Sequence, residues 1–129
     1  MPKSKWDELN LEEKVLRILN VRSHAPKHPF GRPFQTPYQI AIAFKKLYPD
    51  DFKKIGKPLG GKHTGQQDSL AQYLALQLAR RVKNGTMRNV EGRFFHRKYL
   101  LGLTYDNDGQ VVESSAERAY GLSMFRRTD

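Results

Sequence analysis

The chain has 129 residues, enough for one domain and little more, and a formal net charge of +10. It contains no cysteine, which excludes a disulfide scaffold, a thiolate zinc site and a cysteine nucleophile. No apolar run approaches the roughly 20 residues that cross a bilayer, and the polar stretch from Met1 to Trp6 lacks the apolar core of a signal peptide, so a cytoplasmic protein is expected.

The charge is unevenly spread. Residues 1–21 carry four basic and four acidic groups, residues 22–100 carry 16 against four, and residues 101–129 carry three against five. A cationic excess confined to the middle of a chain can gather on one face and concentrate a polyanion there.

Residues 1–9 read as an N-terminal tail. Asn10 then precedes Glu13 by three positions, a capping-box-like pairing, and Leu11, Val15, Ile18 and Leu19 recur at helical spacing, predicting a helix from Leu11 to about Val21. Pro26, Pro29 and Pro33 keep residues 22–35 irregular, with Phe30 and Phe34 expected to pin this arm to the core. Thr36-Pro37 is an N-cap followed by proline at the first helical position, and the helix it opens, with Ile40, Phe44 and Leu47 as its apolar stripe, stops at Pro49. Asp50 to Ile55 predicts a short further turn, broken by Gly56 and Pro58.

The glycine-rich stretch 60–69 leads into the strongest helix, Ser69 to Asn84, where Leu70, Leu74, Leu78 and Val82 fall four apart. Asn84-Gly85 ends it, with Arg80, Arg81 and Lys83 in the last turn, where the helix dipole favours cations. Beyond Gly85 the pattern becomes that of strands: a short one at Thr86–Asn89, an aromatic-rich run from Phe94 to Tyr105, a turn at Asp106–Gly109 and a returning strand at Gln110–Ser114. Residues 116–129 read as a loose C-terminal tail, leaving 10–115 as a single basic domain. Three helices followed by a C-terminal β-hairpin form an α+β layout that resembles a winged helix-turn-helix domain. The likeness is one of element order, and it implies a small module that binds duplex DNA.

The residues that would carry such binding lie between positions 57 and 98. Ser69, Gln72, Gln77 and Arg80 on the long helix are types that hydrogen-bond base edges in a major groove. In the loop before it, Gly60 and Gly61 would let the backbone approach a phosphate, near Lys57, Lys62, His63, Thr64, Gln66 and Gln67 and the helix N-terminus. Gln66-Gln67 stand where a nucleotide-triphosphate loop requires Lys-Ser/Thr, which excludes that motif. Arg93, Arg97 and Lys98 interleave with Phe94, Phe95 and Tyr99; on a strand, one face could stack on bases while cations hold phosphates. Arg32, within Gly31-Arg32-Pro33, resembles the centre of a minor-groove AT-hook, although Phe30 and Phe34 flank it in place of further basic residues. The acidic turn Asp106–Asp108 would be repelled by phosphate, so the base of the hairpin rather than its tip is expected to touch nucleic acid.

Two other readings compete: single-stranded DNA or RNA binding by the aromatic–basic strand, and a basic adaptor that docks an acidic protein. The four histidines are scattered and no carboxylates sit near them in sequence, so no metal, cofactor or enzymatic activity is expected. No heptad argues for or against a homodimer or a larger assembly.

Overall fold

The computed structural model describes residues 4–21, 30–62, 68–115 and 122–129. It is a mixed α+β fold with helices α1 (Lys5–Glu8), α2 (Leu11–Leu19), α3 (Pro37–Leu47), α4 (Pro49–Ile55) and α5 (Leu70–Lys83). The strands are β1 (Val90–Phe94), β2 (Gly102–Asn107), β3 (Gln110–Ser115) and β4 (Ser123–Arg127).

Local sequence explains most helix ends. At α3 the full capping box forms: Gln39 N–H donates to Thr36 Oγ1 at 3.4 Å and Thr36 N–H to Gln39 Oε1 at 2.8 Å. Asn10 behaves differently from the expected cap. It is left-handed (φ +52°), and its side-chain amide donates to the Glu13 carboxylate at 2.6 Å instead of capping the backbone. Helix α4 begins at Pro49 and ends at Gly56, and its Asp51 pairs with Lys14 of α2.

The core gathers the apolar stripes of α2, α3 and α5: Leu11, Val15 and Leu19 meet Tyr38, Ile40 and Phe44, and Leu70, Leu74 and Leu78. Leu47, expected on the α3 stripe, is exposed at the end of that helix. Two readings of the chain ends are corrected. Trp6, assigned to a tail, is buried to 2% exposure in α1, with the Arg81 guanidinium 4.4 Å above its ring. Within the C-terminal stretch, residues 122–127 bury Leu122 and Phe125 and supply β4. The helical spacing that begins at Leu11 carries no signal for burial of Trp6, and the sequence SMFRR does not alternate in the way that marks a half-buried strand.

β4 pairs antiparallel with β1, from Val90 opposite Arg127 to Phe94 opposite Ser123. On its other side Phe125 exchanges two backbone hydrogen bonds with Gln35, each 2.8 Å, so β4 lies between Gln35 and β1. β2 and β3 form the expected hairpin, with Asp108 and Gly109 both at positive φ (+52° and +89°) as its two-residue turn requires. The strand expected at Thr86–Asn89 is absent; these residues are turns, opened by Thr86 N–H donating to Asn84 Oδ1 at 2.9 Å.

Candidate nucleic-acid interface

The start of α5 is closed to a phosphate. Its first N–H groups are occupied: Leu70 donates to the Pro58 carbonyl (2.8 Å), Ala71 to that of Leu59 (3.1 Å) and Gln72 to Ser69 Oγ (3.1 Å). Ser69 is buried as the N-cap, its hydroxyl engaged by the helix rather than turned to the surface. The glycines before it serve packing rather than ligand approach. A Cβ on Gly60 (φ +124°) would lie 2.9 Å from Ser69 Oγ, and one on Gly61 (φ +107°) 3.0 Å from Val112 Cγ1. Lys57 pairs with Asp68 across the loop. His63, Thr64, Gln66 and Gln67 lie outside the described residues.

The outward side of α5 is poorer in hydrogen-bonding groups than its sequence suggested. Arg80 and Lys83 are exposed and Gln72 half-buried, but Leu76 (54% exposed) and Ala79 occupy the middle of that side. Tyr73 is half-buried, and desolvation raises its phenol above the ordinary tyrosine range. Gln77 accepts a hydrogen bond from Arg81 at 3.3 Å.

The β2–β3 hairpin folds back on the helices. Tyr105 stacks on Tyr38, and Lys46 of α3 pairs with Asp108 at 2.8 Å, which fixes the acidic turn against α3.

The aromatic–basic run does not continue as a strand. β1 ends at Phe94, and residues 95–101 form an irregular connection to β2, closed by a Leu100 N–H to Arg97 carbonyl bond of 3.1 Å. The alternation of faces expected for Arg93, Phe95, Arg97 and Tyr99 is therefore lost. What replaces it is exposure. Tyr99 is 94% exposed at φ +66°, Leu101 is 92% exposed, Phe94 is 68% exposed, and Phe95 is exposed as well. Lys98 Nζ lies 5.1 Å from the Tyr99 ring centroid, and the Lys98 N–H donates to His96 Nδ1 at 2.9 Å. Neither Arg97 nor Lys98 forms an ion pair among the described residues, whereas Arg93 is paired with Glu91, which also accepts from Arg126 Nε at 2.8 Å. Lys62 joins this region: its N–H donates to the Glu113 carbonyl at 2.8 Å, and it lines a shallow cleft of about 160 Å³ together with Leu101 and Gly102.

Arg32 stands apart, its guanidinium tied at the surface to the Asp129 carbonyl and, at 3.2 Å, to Asn20 Oδ1. Of the residues singled out in the sequence, Lys62, Arg97 and Lys98 share the neighbourhood of Tyr99 and Leu101. Arg80 and Gln72 belong to a separate surface on α5. The exposure of Tyr99 and Leu101 went unforeseen, because aromatic and branched residues in a strand-like run ordinarily signal a core face.

Comparison with protein families, curated proteins and solved structures returns no match for this chain. Among the described residues no helix is long and apolar enough to cross a membrane.

Proposed function

We propose that this is a nucleic-acid-binding protein without catalytic activity, and that it holds a single strand of DNA or RNA through residues 93–101 with Lys62. The observation that carries this reading is the exposure of Phe94, Tyr99 and Leu101 beside Arg97 and Lys98, which form no ion pair among the described residues. Leaving large rings in water gains nothing for folding. The same rings offer flat faces on which successive bases stack, at about 1–3 kcal/mol per base, while neighbouring cations hold the backbone. The net charge of +10 supports the same class of partner.

A second reading, a winged-helix module on duplex DNA, has one specific observation in its favour. Helices α2, α3 and α5 adjoin a small sheet in the order Gln35, β4, β1, with the β2–β3 hairpin carried in the β1–β4 connection where a winged helix carries its wing. Against it stand the blocked N-terminus of α5 and the apolar Leu76 and Ala79 on the side that would enter a groove.

Fluorescence anisotropy with matched single-stranded and duplex oligonucleotides at two salt concentrations separates the two. The single-strand reading expects tighter binding to the single strand, weakened by Y99A. Preference for duplex, with Y99A neutral and R80A damaging, would transfer the site to α5.

A further inference from the structure

A second surface lies between α5 and the β1–β4 sheet. There the helix and sheet diverge and leave a groove of about 310 Å³ lined by Leu76, Ala79, Val82, Gly92, Phe94 and Phe125. Its charged lining residues are both cationic, Lys83 and Arg93. Arg93 is compensated by Glu91, while Lys83 forms no ion pair among the described residues. Gly92 keeps the groove open at its base, since a Cβ there would approach the Phe125 ring to 3.2 Å.

The backbone of β1 adds a second feature. Phe95 N–H donates to Leu122 and Thr128 N–H to Asn89, so by the antiparallel register the odd-numbered residues of β1 bond to β4. The N–H and C=O groups of Gly92 and Phe94 therefore point to the opposite edge, with which no strand pairs among the described residues; there the Arg93 guanidinium donates to the Gly92 carbonyl at 2.8 Å, a surface contact that an incoming strand would displace. An apolar groove alone would suit a lipid tail. An apolar groove beside a strand edge that no strand covers among the described residues suits an extended peptide, whose main chain pairs with the edge while alternate side chains enter the groove.

We propose that this groove docks an extended, acidic segment of a protein partner, which adds to the outer edge of β1 at Gly92 and Phe94 and sets apolar side chains against Leu76 and Ala79. Charge complementarity favours an acidic occupant: the groove is cationic on a chain of net charge +10, which repels a second copy of itself. The surface adjoins the one assigned to nucleic acid and shares Arg93 and Phe94 with it, whereas Leu76 and Lys83 belong to the groove alone.

The test uses the full chain and a fluorescein-labelled peptide of about ten alternating leucine and glutamate residues, with a leucine–lysine peptide as control. The expected result is saturable binding of the acidic peptide at least tenfold tighter than the control. L76E should weaken it about tenfold or more, and K83E in the same direction, with melting temperature and oligonucleotide affinity of L76E unchanged. N-methylation of alternate peptide amides should abolish binding if the main chain pairs with β1. Equal binding of the two peptides, or indifference to both L76E and K83E, overturns the proposal. A concentration-dependent dimer that L76E dissolves overturns it too, since the occupant is then a second copy.

Discussion

The ring of Tyr105 on β2 lies stacked on that of Tyr38 on α3, with centroids 5.3 Å apart and planes 13° from parallel. This contact, with the Lys46–Asp108 pair, ties the hairpin to the helical core rather than to its own outer surface. A two-stranded hairpin has little stability by itself, so the shape of the 95–101 connection depends on where this stack holds β2.

The Tyr105 hydroxyl is buried beside the hydroxyls of Thr36 and Ser114 without a hydrogen bond of normal geometry, and burial pushes its ionisation above that of an ordinary tyrosine. The folded state thus keeps a proton that the unfolded chain releases near pH 10. The sign follows: this contribution is complete below about pH 10 and is lost as the pH rises through the folded value. Urea midpoints measured from pH 8 to 11 should fall more steeply for the native chain than for Y105F. At neutral pH, Y105F is expected to be as stable as the native chain or more so, by up to about 1 kcal/mol.

Trp6 should behave as a core residue. W6A is expected to cost about 3–5 kcal/mol, lowering the melting temperature by roughly 10–20 °C. R81A should cost about 0.5–2 kcal/mol through the lost cation–π contact. Far-ultraviolet circular dichroism is the suitable probe, since Trp6 is the only tryptophan. A stability unchanged in W6A would return residues 4–9 to the status of a tail.

Ser69 separates capping from recognition. S69A removes the cap on Gln72 and is expected to cost about 1 kcal/mol of stability. Because the side chain is buried, oligonucleotide affinity measured well below the melting temperature should not change. A loss of affinity without a loss of stability would restore Ser69 to the interface.

Arg97 and Lys98 should account for part of the salt dependence of single-strand binding. Each phosphate contact contributes about 0.7 to the slope of log affinity against log salt, so R97A/K98A should reduce that slope by about 1.4. Anisotropy titrations across four or five salt concentrations measure this directly. R80A on α5 is expected to leave the slope unchanged.

The parts of the fold visible in the sequence are those whose signals are local. Thr36-Pro37 announces α3, the four-residue spacing of Leu70, Leu74 and Leu78 announces α5, and Asp108-Gly109 announces the hairpin turn. Trp6 and β4 were missed for the opposite reason. Trp6 is buried by Arg81 and other residues far along the chain, and β4 is defined by pairing with β1 and Gln35, neither adjacent in sequence. The candidate interface was half legible. Its composition of rings and cations was plain, but Tyr99 at positive φ breaks the strand that the composition implied, and no residue type at that position signals such a backbone.

The position of β4 also bears on how the protein is made. Its strand is central, between Gln35 and β1, yet it is translated after both. The residues of α2, α3 and α5 all precede β4, so the surface that Leu122 and Phe125 cover stays open until those two residues are in place. Pairing of β4 therefore closes the sheet by insertion of a central strand rather than by growth at an edge, a non-local step of the kind that slows folding.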